Sequence, residues 1–194
     1  MSEPAKKKAT YEDLYRVPEN MIGEIIDGEL IVTPRPSRKH TYATSTLGSR
    51  VLPAYHFGEG GGPGGWVILI EPEIKLGEHI LVPDLAGWKA ERFLWEEGQN
   101  PISVTPDWVC EVLSPSTFCL DRIKKMARYA EYGVRHLWLI DPDQTTLEVY
   151  RLESGRWLLL DAFDGAKKIH IEPFQHIEIN LGDLWPKVEE TPHS

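Results

Sequence analysis

A glutamate stands in the middle of an apolar run, Trp108, Val109, Cys110, Glu111, Val112 and Leu113. Apolar residues on both alternating faces mark a strand that is covered on both sides of its sheet. A carboxylate seldom stays charged in such a place without a partner. Glu111 therefore requires either a buried Arg or Lys beside it or a cation that it helps to hold. Whatever fold the chain adopts has to meet that demand.

The neighbouring segments read as an α/β fold. Thr10 with Asp13 resembles a helix-capping pair, so a short helix is expected over Tyr11 to Arg16, ending near Pro18. Gly23 to Thr33 reads as a hairpin around Asp27-Gly28, a pair that tolerates the positive φ angles of a tight turn. From Ser37 to about Tyr55, Ala43, Leu47, Val51 and Ala54 recur at helical spacing, with Ser37 as N-cap and Pro53 bending or ending the helix. Gly58 to Gly65 lacks the Lys-Ser or Lys-Thr of a phosphate-binding loop and reads as a flexible connector.

Strands are expected at Trp66 to Leu76, interrupted at Pro72, at His79 to Trp88, and at Trp108 to Leu113. Between Asp121 and Tyr132, Ile123, Met126, Ala127 and Ala130 form one apolar helical face, and Gly133 ends the helix. With His136 to Ile140 following, the order strand, helix, strand predicts a parallel crossover. Thr146 to Tyr150, Arg156 to Asp161 and Lys168 to Glu172 are expected to form a β meander that extends or covers the sheet. One domain over 10–186 is expected, between flexible ends at 1–9 and 187–194.

Composition narrows the function classes. No apolar run approaches the roughly 20 residues of a membrane span, and the start, Met1 to Thr10, is charged, so export and membrane insertion are not expected. Cys110 and Cys119 lack the spacing of a zinc site or disulfide framework, which fits a reducing cytoplasm. The net charge of −9 argues against a protein that coats nucleic acid. Yet basic residues gather at Lys6 to Lys8, at Arg35, Arg38 and Lys39, and at Arg122, Lys124, Lys125, Arg128 and Arg135, so a basic cleft is compatible with the acidic total. His136, His170 and His176 have no metal-ligand spacing, and the seven tryptophans read mostly as core.

Asp84 follows Ile80, Leu81, Val82 and Pro83, so a strand is expected to deliver a second carboxylate at or near its end. Two adjacent carboxylates repel unless a cation lies between them, and oxygen ligands of this kind suit Mg²⁺ or Mn²⁺. Lys125 lies on the helix after the Glu111 strand, on a face shared with Asp121, Arg128, Tyr129 and Tyr132. The plainer readings stay open: Asp84 as a turn carboxylate, Glu111 as half of a buried ion pair, and Lys125 as the i+4 partner of Asp121. Ser114-Pro115-Ser116-Thr117 reads as a helix start rather than a nucleophile, since no histidine is nearby.

Pro83-Asp84, Glu111 to Thr117, Asp121 with Lys125 and Tyr129, and Gly133-Val134 leading to Trp138-Leu139-Ile140-Asp141-Pro142 together resemble the putative restriction endonuclease family of the PD-(D/E)XK superfamily. The resemblance spans roughly residues 10 to 185. It implies a restriction-endonuclease-like mixed central sheet flanked by helices, an N-terminal hairpin and a C-terminal meander. It also implies Asp84 and Glu111 as Mg²⁺ ligands (Mn²⁺ as substitute), with Lys125 completing the catalytic set. The superfamily's usual lysine position, two residues after the second acid, is Leu113 here, and Lys125 is the replacement. Glu24 and His40 match the family too, Glu24 as an added acid and His40 as a phosphate contact. The implied activity is metal-dependent hydrolysis of nucleic-acid phosphodiesters, DNA by analogy, in a homodimer suited to duplex cleavage. The alternative is a catalytically silent scaffold that binds nucleic acid or protein.

Overall fold

The computed structural model describes residues 7–95 and 100–187. Most of the ends expected to be flexible, 1–9 and 187–194, lie outside those residues. Within them, Ala9 N–H donates to Gly28 O at 2.8 Å and Lys8 Nζ lies 2.8 Å from Glu78. The first helix, α1 (Tyr11–Leu14), is shorter than expected and is capped by the Asp13 carboxylate, which accepts from Thr10 N at 2.9 Å.

Asp27 and Gly28 take φ of 55° and 75°, the pair of positive angles that a type I′ turn demands, and fold β1 (Met21–Ile26) onto β2 (Glu29–Pro34). Ser37 Oγ then caps α2 (Arg38–Val51) by accepting from His40 N at 3.3 Å. Ala43, Leu47 and Val51 are buried as their spacing predicts. At Pro53 the helix widens into a π turn over Leu52–His56 instead of stopping.

The next two expected strands each divide in two. Trp66 to Leu76 gives β3 (Trp66–Ile70) and β4 (Ile74–Leu76), and His79 to Trp88 gives β5 (His79–Leu81) and β6 (Leu85–Lys89). Pro72 and Pro83 supply no N–H to a ladder, and at each the chain passes from one sheet to another. β4 and β5 join the hairpin in a four-stranded sheet ordered β2-β1-β5-β4. β3 and β6 belong to a six-stranded sheet ordered β10-β9-β8-β7-β6-β3, which includes β7 (Trp108–Val112), β8 (His136–Asp141), β9 (Thr146–Glu153) and β10 (Arg156–Asp164). Within that sheet β7 and β8 are parallel and every other pair is antiparallel, so the sheet is mixed and the crossover is the expected one.

Of the meander, β9 and β10 extend the sheet as expected. β11 (Lys168–Ile169) does not join them; it pairs with β12 (Ile179–Asn180). This places Ile169, Ile171, Phe174 and Leu184 over the sheet face that α2 also covers, against Trp108, Cys110, Val112 and Trp138. The other face carries Val109, Leu113, Leu137 and Leu139 and is covered by the four-stranded sheet, through Ile26, Leu76 and Leu81, and by α3 (Met126–Glu131), through Tyr129. Glu111 alternates with Val112 and so belongs to this second face.

The crossover helix corrects the expected polarity. It opens as a π turn over Leu120–Lys125 and continues into α3. Its buried positions are Asp121, Lys125 and Tyr129, while Ile123, on the expected apolar face, is 68% exposed. Ion pairing on the polar face outweighs the burial of one isoleucine, because Lys125 meets several carboxylates inside. Four tryptophans, Trp66, Trp88, Trp108 and Trp138, lie in the core, whereas Trp95 is exposed.

The hairpin turn supplies a test of this construction. Gly28→Val forces a β-branched residue to φ of 75° and is expected to lower stability by about 1–3 kcal/mol in urea denaturation. An unchanged midpoint would mean that the turn is not type I′.

Candidate active site

Asp84 lies immediately before β6 rather than at the far end of a strand. The β6–β7 register pairs Leu85 with Cys110, so one step beyond its last pair Asp84 stands beside Glu111. Asp84 Oδ2 accepts from Val112 N at 2.6 Å, and Asp84 Oδ1 lies 3.1 Å from His40 Nε2 at the first turn of α2. Both carboxylate oxygens are thus oriented by groups from different elements.

Lys125 is the hub. Its Nζ lies 2.8 Å from Glu111 Oε1, 3.1 Å from Glu24 Oε1 and 3.5 Å from Asp121 Oδ1, and it donates to Val82 O at 3.3 Å. Glu24 Oε1 also accepts from Val82 N at 2.8 Å, so both backbone groups of Val82 are satisfied where the chain crosses between sheets. Tyr129 donates its hydroxyl to Glu111 Oε1 at 2.5 Å. Lys125 and Tyr129 therefore share one oxygen of Glu111, and among the described residues Oε2 accepts no hydrogen bond.

These groups are deeply set: Glu111 is 2% exposed and Lys125 3%. Burial raises the Glu111 carboxyl well above its ordinary range, with Lys125 pulling it back and Asp121 and Asp84 adding to the rise. Asp121 is raised by burial against the same lysine. Burial pulls the Lys125 ammonium down, but Glu111 and Glu24 more than offset this and hold it well above the ordinary lysine value. Lys125 is consequently a fixed positive charge. Tyr129 is raised by burial and by Glu111, so it remains a neutral donor. His40 is lowered by burial, and the hydrogen bond and charge of Asp84 reverse this to a net rise.

A cleft of about 700 Å³ opens over the cluster, and its lining includes Glu24, His40, Asp84, Glu111, Asp121 and Lys125. All seven residues singled out from the sequence thus meet in one place, with Tyr129 beneath Glu111. Lys124, the residue before Lys125 in the helix, turns outward to Glu29 at 3.7 Å. Leu113, at the usual lysine position, is buried in the core. Sequence reading missed Val82, whose main chain ties Glu24 to Lys125; Pro83 beside it, unable to join a ladder, was the available signal. It also missed Asp143 at the cleft mouth.

A family model described as putative restriction endonuclease matches residues 9–182. The chain belongs to that family. Its fold is similar to the crystal structure of a putative nuclease from Anabaena variabilis ATCC 29413, with a TM-score of 0.69 and 26% identity over 91% of this chain and 97% of that one. No curated protein matches. Among the described residues, no helix is long and apolar enough to cross a membrane.

In this member of the family the buried ion pairs share their partners, so they are expected to depend on one another. Lys125→Met leaves Glu111, Glu24 and Asp121 without their cation and is expected to cost about 3–5 kcal/mol of stability. Adding Glu111→Gln should restore part of it, since one stranded charge is removed. Chemical denaturation of parent, both single variants and the double variant measures the coupling, and additive effects would contradict the geometry.

Proposed function

We propose that this protein is a metal-dependent nuclease that hydrolyses nucleic-acid phosphodiesters, with DNA as substrate and Mg²⁺ or Mn²⁺ as cofactor. The observation that carries the reading is the meeting of Asp84, Glu111 and Lys125 at the floor of one cleft, although they come from a sheet crossing, a strand and a helix. Family membership points the same way.

The donor set suits the ion. Among the described residues, no group of three or more His, Cys, Asp and Glu side chains could hold a metal. Mg²⁺ does not need such a cage, because it keeps several waters and commonly binds one or two carboxylates together with substrate phosphate. Asp84 and Glu111, through Oε2, would provide those carboxylates. When bound, Mg²⁺ polarises a phosphoryl oxygen and lowers the pKa of a water it carries.

The chain's own residues have separable tasks in this reading. Lys125 keeps its proton and places positive charge where the phosphorus gathers negative charge, acting as an electrostatic group and not as a base. Tyr129 fixes Glu111, and the Val112 N–H with His40 fixes Asp84. A homodimer with one site per strand belongs to the same reading for a duplex substrate.

One observation favours a silent scaffold instead. Lys125 already sits among three carboxylates, so much of the negative charge is answered without an ion. Calorimetric titration with Mg²⁺ and Mn²⁺ separates the two readings. The parent is expected to bind and Asp84→Asn to bind far more weakly; no binding by either supports the scaffold. In plasmid cleavage with Mn²⁺, Asp84→Asn, Glu111→Gln and Lys125→Met should each lose about a hundredfold or more. Equal cleavage by all four proteins would end the catalytic reading.

A further inference from the structure

The first turn of α2 is arranged against its own electrostatics. A helix N-terminus carries partial positive charge and favours acidic neighbours, yet this one holds Arg38, Lys39 and His40 and no acid. All three line the cleft, with Arg35 just before them. Among the described residues no carboxylate pairs with Arg38, which is exposed. His40 is 8% exposed, and among the described residues its Nδ1 has no hydrogen-bond partner. Such a turn concentrates positive charge in a protein whose net charge is −9. Arg38 and Lys39 place that charge at the exposed mouth of the cleft, while His40 reaches in to Asp84 at the floor.

Among the described residues, Lys39 and His40 alone have acidic partners in this turn. Lys39 Nζ lies 2.8 Å from Asp143 Oδ1, in the turn between β8 and β9, and both side chains are about half exposed. Asp143 is not free to swing as a loop residue would, because its own N–H and that of Gln144 both donate to Asp141 Oδ1. The pair joins two elements that line the same cleft. An anion entering there must separate Lys39 from Asp143, and until it does Asp143 repels it.

We infer that Arg38 and Lys39 form a seat for a backbone phosphate of nucleic acid beside the reacting one, and that Asp143 guards it by occupying Lys39. The inference rests on the nuclease reading of the cleft. The two cations and the helix terminus attract a phosphate without reading its base, so the seat serves any sequence. An ion pair at this degree of exposure contributes little to stability, which makes it easy for a phosphate to displace.

The test is fluorescence anisotropy with a labelled 20-base-pair duplex and its single strand, in the Glu111→Gln protein, over a range of NaCl concentrations. Arg38→Ala and Lys39→Ala are each expected to weaken binding about tenfold and to reduce the log–log salt slope by about one. Asp143→Asn should tighten binding severalfold and steepen the slope, because Lys39 is then released in advance. Lys168→Ala, outside the cleft, serves as the control and should change neither. Thermal denaturation of each variant guards against misfolding. No binding by the parent at low salt, or equal binding by the parent and the Arg38 and Lys39 variants, overturns the seat. A weakening or no change with Asp143→Asn overturns the guard. Loss of the nuclease reading shows differently: no cleavage with binding still dependent on Arg38 and Lys39 removes the chemistry and leaves the seat.

Discussion

The ammonium of Lys125 is placed where only its partners make it tolerable. A lysine this deeply buried is pulled toward losing its proton, and Glu111 and Glu24 reverse that pull, while burial still leaves the Glu111 and Asp121 carboxyls above their ordinary range. The contacts around the ammonium fasten the elements that carry them: the hairpin through Glu24, the central strand through Glu111, the crossover helix through Asp121 and Lys125. The fold brings these elements near one another by burying apolar surface, and the ion pairs set their register. Asp84 lies beside Glu111, and its bonds go to His40 and Val112 rather than to the lysine. On the proposed reading of the cleft, these are the two carboxylates that would take a dication.

Legibility in the sequence followed the kind of interaction involved. Glu111 could be found because a carboxylate in a doubly apolar strand contradicts its surroundings. The parallel crossover, the Asp27-Gly28 turn and the Ser37 cap could be read because each depends on neighbouring residues and known backbone geometry. Lys125 was readable only through resemblance, since nothing within one turn of helix distinguishes it from a surface lysine paired with Asp121.

The failures have the same root. Counting apolar residues put Ile123 and Ala127 inside, whereas the buried face belongs to Asp121, Lys125 and Tyr129; periodicity measures hydrophobicity and is blind to charges that find partners from distant segments. Pro72 and Pro83 were visible as interruptions, but a local pattern does not say that the chain leaves one sheet for another at such points. Asp84 was accordingly expected at or near the end of one strand, and it lies in the crossing between β5 and β6. β11 was grouped with the meander although its partner lies beyond it in the sequence, where only tertiary packing decides.

The π turn over Leu120–Lys125 has one more consequence. A π turn accommodates one residue beyond an α-helical turn, and it is locally less favourable than the regular helix. Deleting a residue there would let the segment relax to an ordinary helix with better backbone geometry. The flanking segments would keep roughly their present phase, but a deletion between Asp121 and Lys125, both within the turn, would change their spacing by one residue, about 100° of helix, and take the carboxylate away from the lysine. The irregularity works as a phase-setting insertion, so chain length in this helix is constrained as tightly as residue identity.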